Sequence, residues 1–256
     1  MGSTTQTNLP ALATNPKAIF FTDFDGTITL QDTNDYMTDN MGFGYELRRK
    51  GMDDVLDGKR TFADSFKEML DSVKAPFDEC LRVLTENIKL DPAFKEFFDW
   101  CRANNVLVVV LSGGMQPVIR AVLAHLVGEE AVKHMQIVSN DVAVSPGHTD
   151  INEEGGWTIT YHDESEHGHD KSLEIRPYAA LKERPVMFYA GDGVSDLSAA
   201  KETDLLFARA GRDLVMYCER ENVPFTVFHS FSDIHKIVQS VVEGKKTVQE
   251  AATGRD

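Results

Sequence analysis

Short apolar runs at 18–21, 106–111, 136–138, 186–190, 205–208 and 225–228 alternate with segments whose apolar residues recur at helical spacing, and this alternation leaves few folds open. A strand buried on both faces reads as an unbroken apolar run, and parallel strands need long crossovers, usually helices, to join them. The helical stripes are plain: Phe94, Phe97, Phe98 and Cys101 share one face, Val118, Ile119, Val122, Leu123 and Leu126 another, and Ile234, Ile237, Val238, Val241 and Val242 a third. The pattern predicts an α/β chain with a parallel sheet flanked by helices.

Two stretches interrupt the alternation. Residues 31–92 are charged and helix-favouring, with Phe62, Phe66, Met69 and Leu70 at helical spacing, so they read as a small helical cap inserted after the first strand. Residues 142–169 hold Pro146-Gly147 and Gly155-Gly156 around the β-prone piece 157–161, which predicts a hairpin. The expected organisation is a catalytic core of 17–30 and 93–245, a cap of 31–92, and flexible tails at 1–16 and 246–256.

The first strand ends in Asp23-Phe24-Asp25-Gly26-Thr27. Successive strand side chains alternate faces, but a bend at Gly26 lets both acids reach one reacting centre. Paired carboxylates suit phosphoryl transfer, Asp23 attacking phosphorus while Asp25 protonates the leaving oxygen and later deprotonates water. Ligands of parallel sheets bind beyond the strands' carboxyl ends, and the residues placed there agree. The run 106–111 leads into Ser112-Gly113-Gly114, then a helix with Pro117 in its first turn, offering a hydroxyl and free N–H groups to an anion. Lys171 precedes the run 186–190, and Gly191-Asp192-Gly193-Val194-Ser195-Asp196 follows it.

Taken singly, each of these is a turn, a surface charge or a loop acid; together they supply what phosphoryl transfer needs. A carboxylate facing a phosphate dianion is repelled by it, so a hard divalent cation must bridge them, and magnesium fits carboxylate and water ligands. The expected ligands are Asp23, Asp192 and the backbone carbonyl of Asp25. Ser112, the Gly113 N–H and Lys171 are expected to hold the phosphoryl oxygens, with Thr27 and Asp196 in support, Asp196 orienting Lys171 or a metal-bound water.

Composition excludes other classes. A formal net charge of -15 over 256 residues argues against nucleic-acid or acidic-membrane partners, leaving a small-molecule phosphate ester as the expected one. Cys80, Cys101 and Cys218 form no Cys-x-x-Cys pair and read as reduced thiols. No signal-peptide pattern opens the chain, and Gln6 stands where a myristoylation motif needs Ser or Thr; a cytoplasmic location is the expectation. His162, His167 and His169 read as a solvated acidic loop.

In order and spacing these motifs resemble those of the haloacid dehalogenase superfamily, with the helical insert similar to that of its phosphoserine-phosphatase-like branch. The resemblance implies a Rossmann-like core, a magnesium ion and an aspartyl-phosphate on Asp23. Phosphoserine phosphatases carry a Glu where Asp32 stands, and alignment of the cap segment 58–66 places Met69 where they carry a carboxylate-gripping Arg, which demotes phosphoserine. The motifs 191–196 and 204–209 look closer to methionine-salvage ketopentenyl-phosphate phosphatases and fungal polyol-phosphate phosphatases, and Asp32, Asn34 and Asp35 would suit hydroxyl groups. A phosphomutase and a non-catalytic phosphate-sensing module of the same fold remain as alternatives.

Overall fold

Burial on both faces turns the apolar runs into strands: every residue of β1 (Ala18–Thr22) is buried. The computed structural model describes residues 9–252. After β1 come α1 (Thr33–Met41), α2 (Tyr45–Leu56), α3 (Phe62–Asp71), α4 (Phe77–Asn87) and α5 (Phe94–Ala103). Then follow β2 (Val106–Met115), α6 (Gln116–Val127), α7 (Glu129–Val132), β3 (Gln136–Val144), β4 (Trp157–Thr160) and α8 (Lys171–Ala179). The chain ends in β5 (Val186–Gly191), α9 (Leu197–Ala200), β6 (Leu205–Arg209), α10 (Asp213–Glu221), β7 (Thr226–Phe228), α11 (Phe231–Val242) and α12 (Val248–Ala251). The sheet has seven strands in the order β4-β3-β2-β1-β5-β6-β7. β1, β5, β6 and β7 pair in parallel, and β4 returns antiparallel on β3, with Val142 opposite Ile159, which is the hairpin expected in 142–169.

Two compact units divide the chain. One holds the described residues up to Thr22, Pro92–Val109 and Lys171 onward. Its centre is aromatic: the Phe20 ring meets Phe97 edge-on at 4.8 Å, and Phe231 meets Phe94 at 4.9 Å. Full burial of one such ring contributes about 1.5–3 kcal/mol. Pieces of the expected tails are ordered in this unit. Ala11 is buried and its N–H donates to the Tyr178 hydroxyl at 3.1 Å, while the Ala251 carbonyl accepts from Thr226 Oγ1 at 3.1 Å. Residues 1–8 and 253–256 lie outside the described residues.

The other unit is Asp23–Asp91 with Val110–Asp170. Here the helices of the 31–92 segment share a core with the β3–β4 hairpin. Trp157 packs on Phe77 with ring centres 5.4 Å apart, and its indole N–H donates to the Ala75 carbonyl at 3.0 Å. Lys67 donates to Thr158 Oγ1, which donates to Asp71, both at 2.7 Å. The insert therefore gains its apolar partner from a distant hairpin.

The cysteines are buried and unbridged; burial pushes the Cys80 thiol up to about 12 and Cys218 to about 11, so neither is nucleophilic at neutral pH. No helix among the described residues is long and apolar enough to cross a membrane.

Candidate active site

Strand order locates the site. From β1 the chain moves outward through β2, β3 and β4; it then returns to β5 and moves the opposite way through β6 and β7. The reversal falls between β1 and β5, where such sheets open a crevice at the strands' carboxyl ends. Thr22 is in register with Ala190, so the chain leaves these neighbouring strands through Asp23 on one side and Gly191-Asp192 on the other.

Within the first unit the acid loop is built around Asp196, which is fully buried. Its Oδ1 accepts from Lys171 Nζ at 2.7 Å and from the Tyr189 hydroxyl at 2.5 Å. Its Oδ2 accepts from the N–H groups of Asp192 and Gly193, each at 3.0 Å. Four donors compensate the loss of water that a buried carboxylate suffers. The loop requires glycine at 191, because a Cβ there would stand 2.5 Å from the Asp196 carboxyl carbon. Asp192 and Asp196 offer carboxylate oxygens within 4.8 Å of each other, and Arg212 lies 3.9 Å from Asp192. Lys171 is only 2% exposed, unlike a solvated surface charge.

In the second unit the chain past β1 bends at Gly26, whose φ of 72° is open to glycine at little cost. The bend is tied by the Phe24 carbonyl, which accepts from Ile28 N–H at 2.9 Å and from the Thr29 hydroxyl at 3.2 Å. Asp23 and Asp25 are buried, as is Thr27. Asp23 Oδ1 accepts from the Phe24 N–H at 2.7 Å. Asp25 lies against the start of α1: Oδ1 accepts from Thr33 N–H at 2.7 Å and Oδ2 from Asn34 Nδ2 at 3.1 Å. Burial holds the Asp25 carboxyl well above the usual carboxylate range; the Asp32 and Asp23 charges add to this and the Thr33 N–H opposes it. Asp32 caps α1, accepting from the N–H groups of Asn34 and Asp35 at 2.8 and 2.9 Å. Met69 is buried in α3.

Ser112, Gly113 and Gly114, expected to turn directly after the second apolar run, instead extend β2 to Met115. Cross-strand and burial context overrides the weak strand preference of Gly and Ser. Asn140 of β3 donates to the Gly113 carbonyl at 2.7 Å. A Cβ on Gly114 would lie 3.1 Å from Asp25 Oδ2, 3.3 Å from Ser112 Oγ and 3.5 Å from Asn34 Nδ2, so the tip of β2, Asp25 and Asn34 converge on one cradle kept open by a glycine. A Cβ on Gly113 would meet nothing within 4 Å, which leaves room beside its N–H.

The reading of 162–169 as a solvated loop holds for His162 and His167, which are exposed, but not for His169. That residue is 3% exposed and its Nδ1 is 2.8 Å from the Ser112 carbonyl oxygen. The cause is local: Gly168, at φ 73°, passes so close to the Tyr161 ring that a Cβ would sit 2.1 Å from it, and the turn drives His169 inward. Sequence reasoning also passed over Tyr189 and Asn140. Tyr189 carried a signal, a polar group in an otherwise apolar strand, where burial demands a partner; Asn140, in the polar stretch Ser139-Asn140-Asp141 of β3, carried none.

Residues 20–201 match the family described as haloacid dehalogenase-like hydrolase, and the chain belongs to that family. It is 50% identical over 242 residues, covering 91% of this chain and 98% of the relative, to a polyol phosphate phosphatase of Saccharomyces cerevisiae. It is 52% identical over 232 residues, covering 90% and 98%, to Pdp3-interacting factor 1 of Schizosaccharomyces pombe. A 2-hydroxy-3-keto-5-methylthiopentenyl-1-phosphate phosphatase of Bacillus cereus is 28% identical over 88% of this chain and 97% of its own. A solved phosphoserine phosphatase carrying a phospho-aspartyl intermediate analogue superposes with a TM-score of 0.60 at 18% identity, covering 88% of this chain and 98% of that one, a likeness of fold. The chain is a phosphoric monoester hydrolase.

Proposed function

We propose that this enzyme hydrolyses a small polyol phosphate through a phosphoaspartate on Asp23. The observation that carries the reading is the unlike treatment of two neighbouring acids: Asp25 is buried against the α1 N-terminus and held above the ordinary carboxylate range, as a proton donor needs, while Asp23 follows β1 at the topological switch point. An Asp23 oxygen attacks phosphorus, and Asp25 gives its proton to the departing alkoxide. Asp25 then takes a proton from the water that attacks the phosphoaspartate, releasing orthophosphate and restoring both groups. Ser112 Oγ, the Gly113 N–H and Lys171 Nζ hold the phosphoryl oxygens as charge develops on them.

The donor set fits magnesium: Asp192 supplies a carboxylate from a loop whose neighbouring acid, Asp196, is already bound to Lys171 and Tyr189, and hard oxygen ligands are what this ion selects. Asp23, Asp192 and the Asp25 carbonyl would hold it. When bound it offsets the repulsion between carboxylate and phosphate.

The polyol assignment is supported by half-identity to the yeast polyol phosphate phosphatase, and by a cap helix that begins with Asp32, Asn34 and Asp35. The cap's Arg48 is engaged by Asp35 and Asp39, each at 2.7 Å, which disfavours an amino-acid carboxylate there. Ranking glycerol, erythritol, ribitol and sorbitol phosphates against phosphoserine by kcat/KM tests the reading. A polyol phosphate is expected to lead by at least about tenfold, one hydrogen bond's worth; phosphoserine at the head of the ranking would overturn it.

A further inference from the structure

Asn34 is 3% exposed, and its side-chain amide is only half used. Nδ2 donates to Asp25 Oδ2 at 3.1 Å, but Oδ1 has no hydrogen-bond partner and is sealed from solvent. A buried carbonyl oxygen that has lost water and gained no donor is unfavourable, and a ligand is one source of the missing donor. The nearby N–H groups are committed elsewhere: that of Thr33 to Asp25, those of Asn34 and Asp35 to Asp32. The space beside the pair is kept open by Gly114, where a Cβ would lie 3.1 Å from Asp25 Oδ2 and 3.5 Å from Asn34 Nδ2.

We propose that Asn34 positions the Asp25 carboxyl with its Nδ2 and, with its Oδ1, accepts a hydrogen bond from the substrate hydroxyl on the carbon next to the one bearing the ester. The inference rests on Asp25 being the proton donor to the leaving oxygen. The Nδ2 hydrogen bond sets the amide alongside the Asp25 carboxyl, so a hydroxyl one carbon from the ester oxygen meets Oδ1 while the ester oxygen meets Asp25. Asn34 thereby selects phosphate monoesters of 1,2-diols over plain alkyl phosphates.

The test uses three substrates: glycerol 3-phosphate, which has the vicinal hydroxyl; n-propyl phosphate, which has the same chain without it; and p-nitrophenyl phosphate, whose leaving oxygen needs no proton. The unsubstituted enzyme is expected to favour glycerol 3-phosphate over n-propyl phosphate by about tenfold or more in kcat/KM. Asn34→Ala is expected to compress that ratio to within about threefold, and to cost p-nitrophenyl phosphate turnover several-fold less than glycerol 3-phosphate turnover. If Asn34→Ala does not fold, Asn34→Leu, close in shape and without the amide, is read the same way. Failure of the unsubstituted enzyme to turn over any of the three sinks the phosphatase reading itself. An active enzyme that shows no diol preference, or an Asn34 variant that keeps the preference or loses all three activities equally, overturns the role of Asn34 alone.

Discussion

Asp25 and Asp196 are both buried acids, yet they are surrounded for opposite tasks. Asp196 accepts from an ammonium, a phenol and two backbone N–H groups, which hold its carboxyl group in one orientation against Lys171. Asp25 has two neutral donors and two acidic neighbours, which favours its protonated form. Three substitutions follow from this contrast. Asp23→Asn removes the proposed nucleophile and is expected to lower turnover of any phosphate ester by roughly 10⁴-fold or more with an unchanged circular dichroism spectrum; ordinary turnover would end the nucleophile assignment. Asp25→Asn cannot shuttle a proton, so alkyl phosphate turnover drops about 10²- to 10⁴-fold while p-nitrophenyl phosphate loses markedly less. Equal losses on the two substrates would show that Asp25 does not protonate the leaving group. Lys171→Met leaves Asp196 without its cation in a dry site, a change worth about 3–5 kcal/mol for buried pairs. Urea unfolding should show a loss of that order, and an unshifted midpoint would mean the pair is not part of the folded core.

At the scale of elements, α1 is the piece that turns sequence into chemistry. Its cap, Asp32, accepts two N–H groups, and its first turn delivers Thr33 N–H and Asn34 Nδ2 to Asp25. Asp32→Ala is expected to cost about 1 kcal/mol of stability and to lower kcat more than it raises KM, because the damage falls on how Asp25 is held. A pure KM effect would assign Asp32 to substrate contact instead. Elements whose burial is two-sided were legible from sequence: the apolar runs at 18–21, 186–190 and 205–208 became β1, β5 and β6 nearly residue for residue. Less legible was the end of β2, since Ser112-Gly113-Gly114 has turn chemistry and only its neighbours make it extended. The acids at strand ends could be read because topology alone places them. The partners of Asn34, Tyr189 and His169 could not, because they lie 9, 7 and 57 residues away, and one sequence does not show which pairs meet.

For the whole molecule, charge and metal meet in a single prediction. The chain carries a formal net charge of -15, a repulsion the folded state bears and the unfolded chain escapes by expanding. A cation that binds only the folded arrangement relieves it, and mass action sets the size of the effect: at a concentration 100 times Kd the folded state gains about 2.7 kcal/mol. With about 2–4 °C per kcal/mol for domains approaching this size, the melting temperature of EDTA-stripped protein should rise by roughly 5–10 °C on saturation with magnesium. Asp192→Ala should abolish most of that rise, whereas Glu130→Ala, which removes an equal charge at an exposed site on α7, should leave it intact. If the two variants respond alike, the ion acts on the protein's overall charge rather than at the acid loop, and the proposed magnesium role of Asp192 is lost with it.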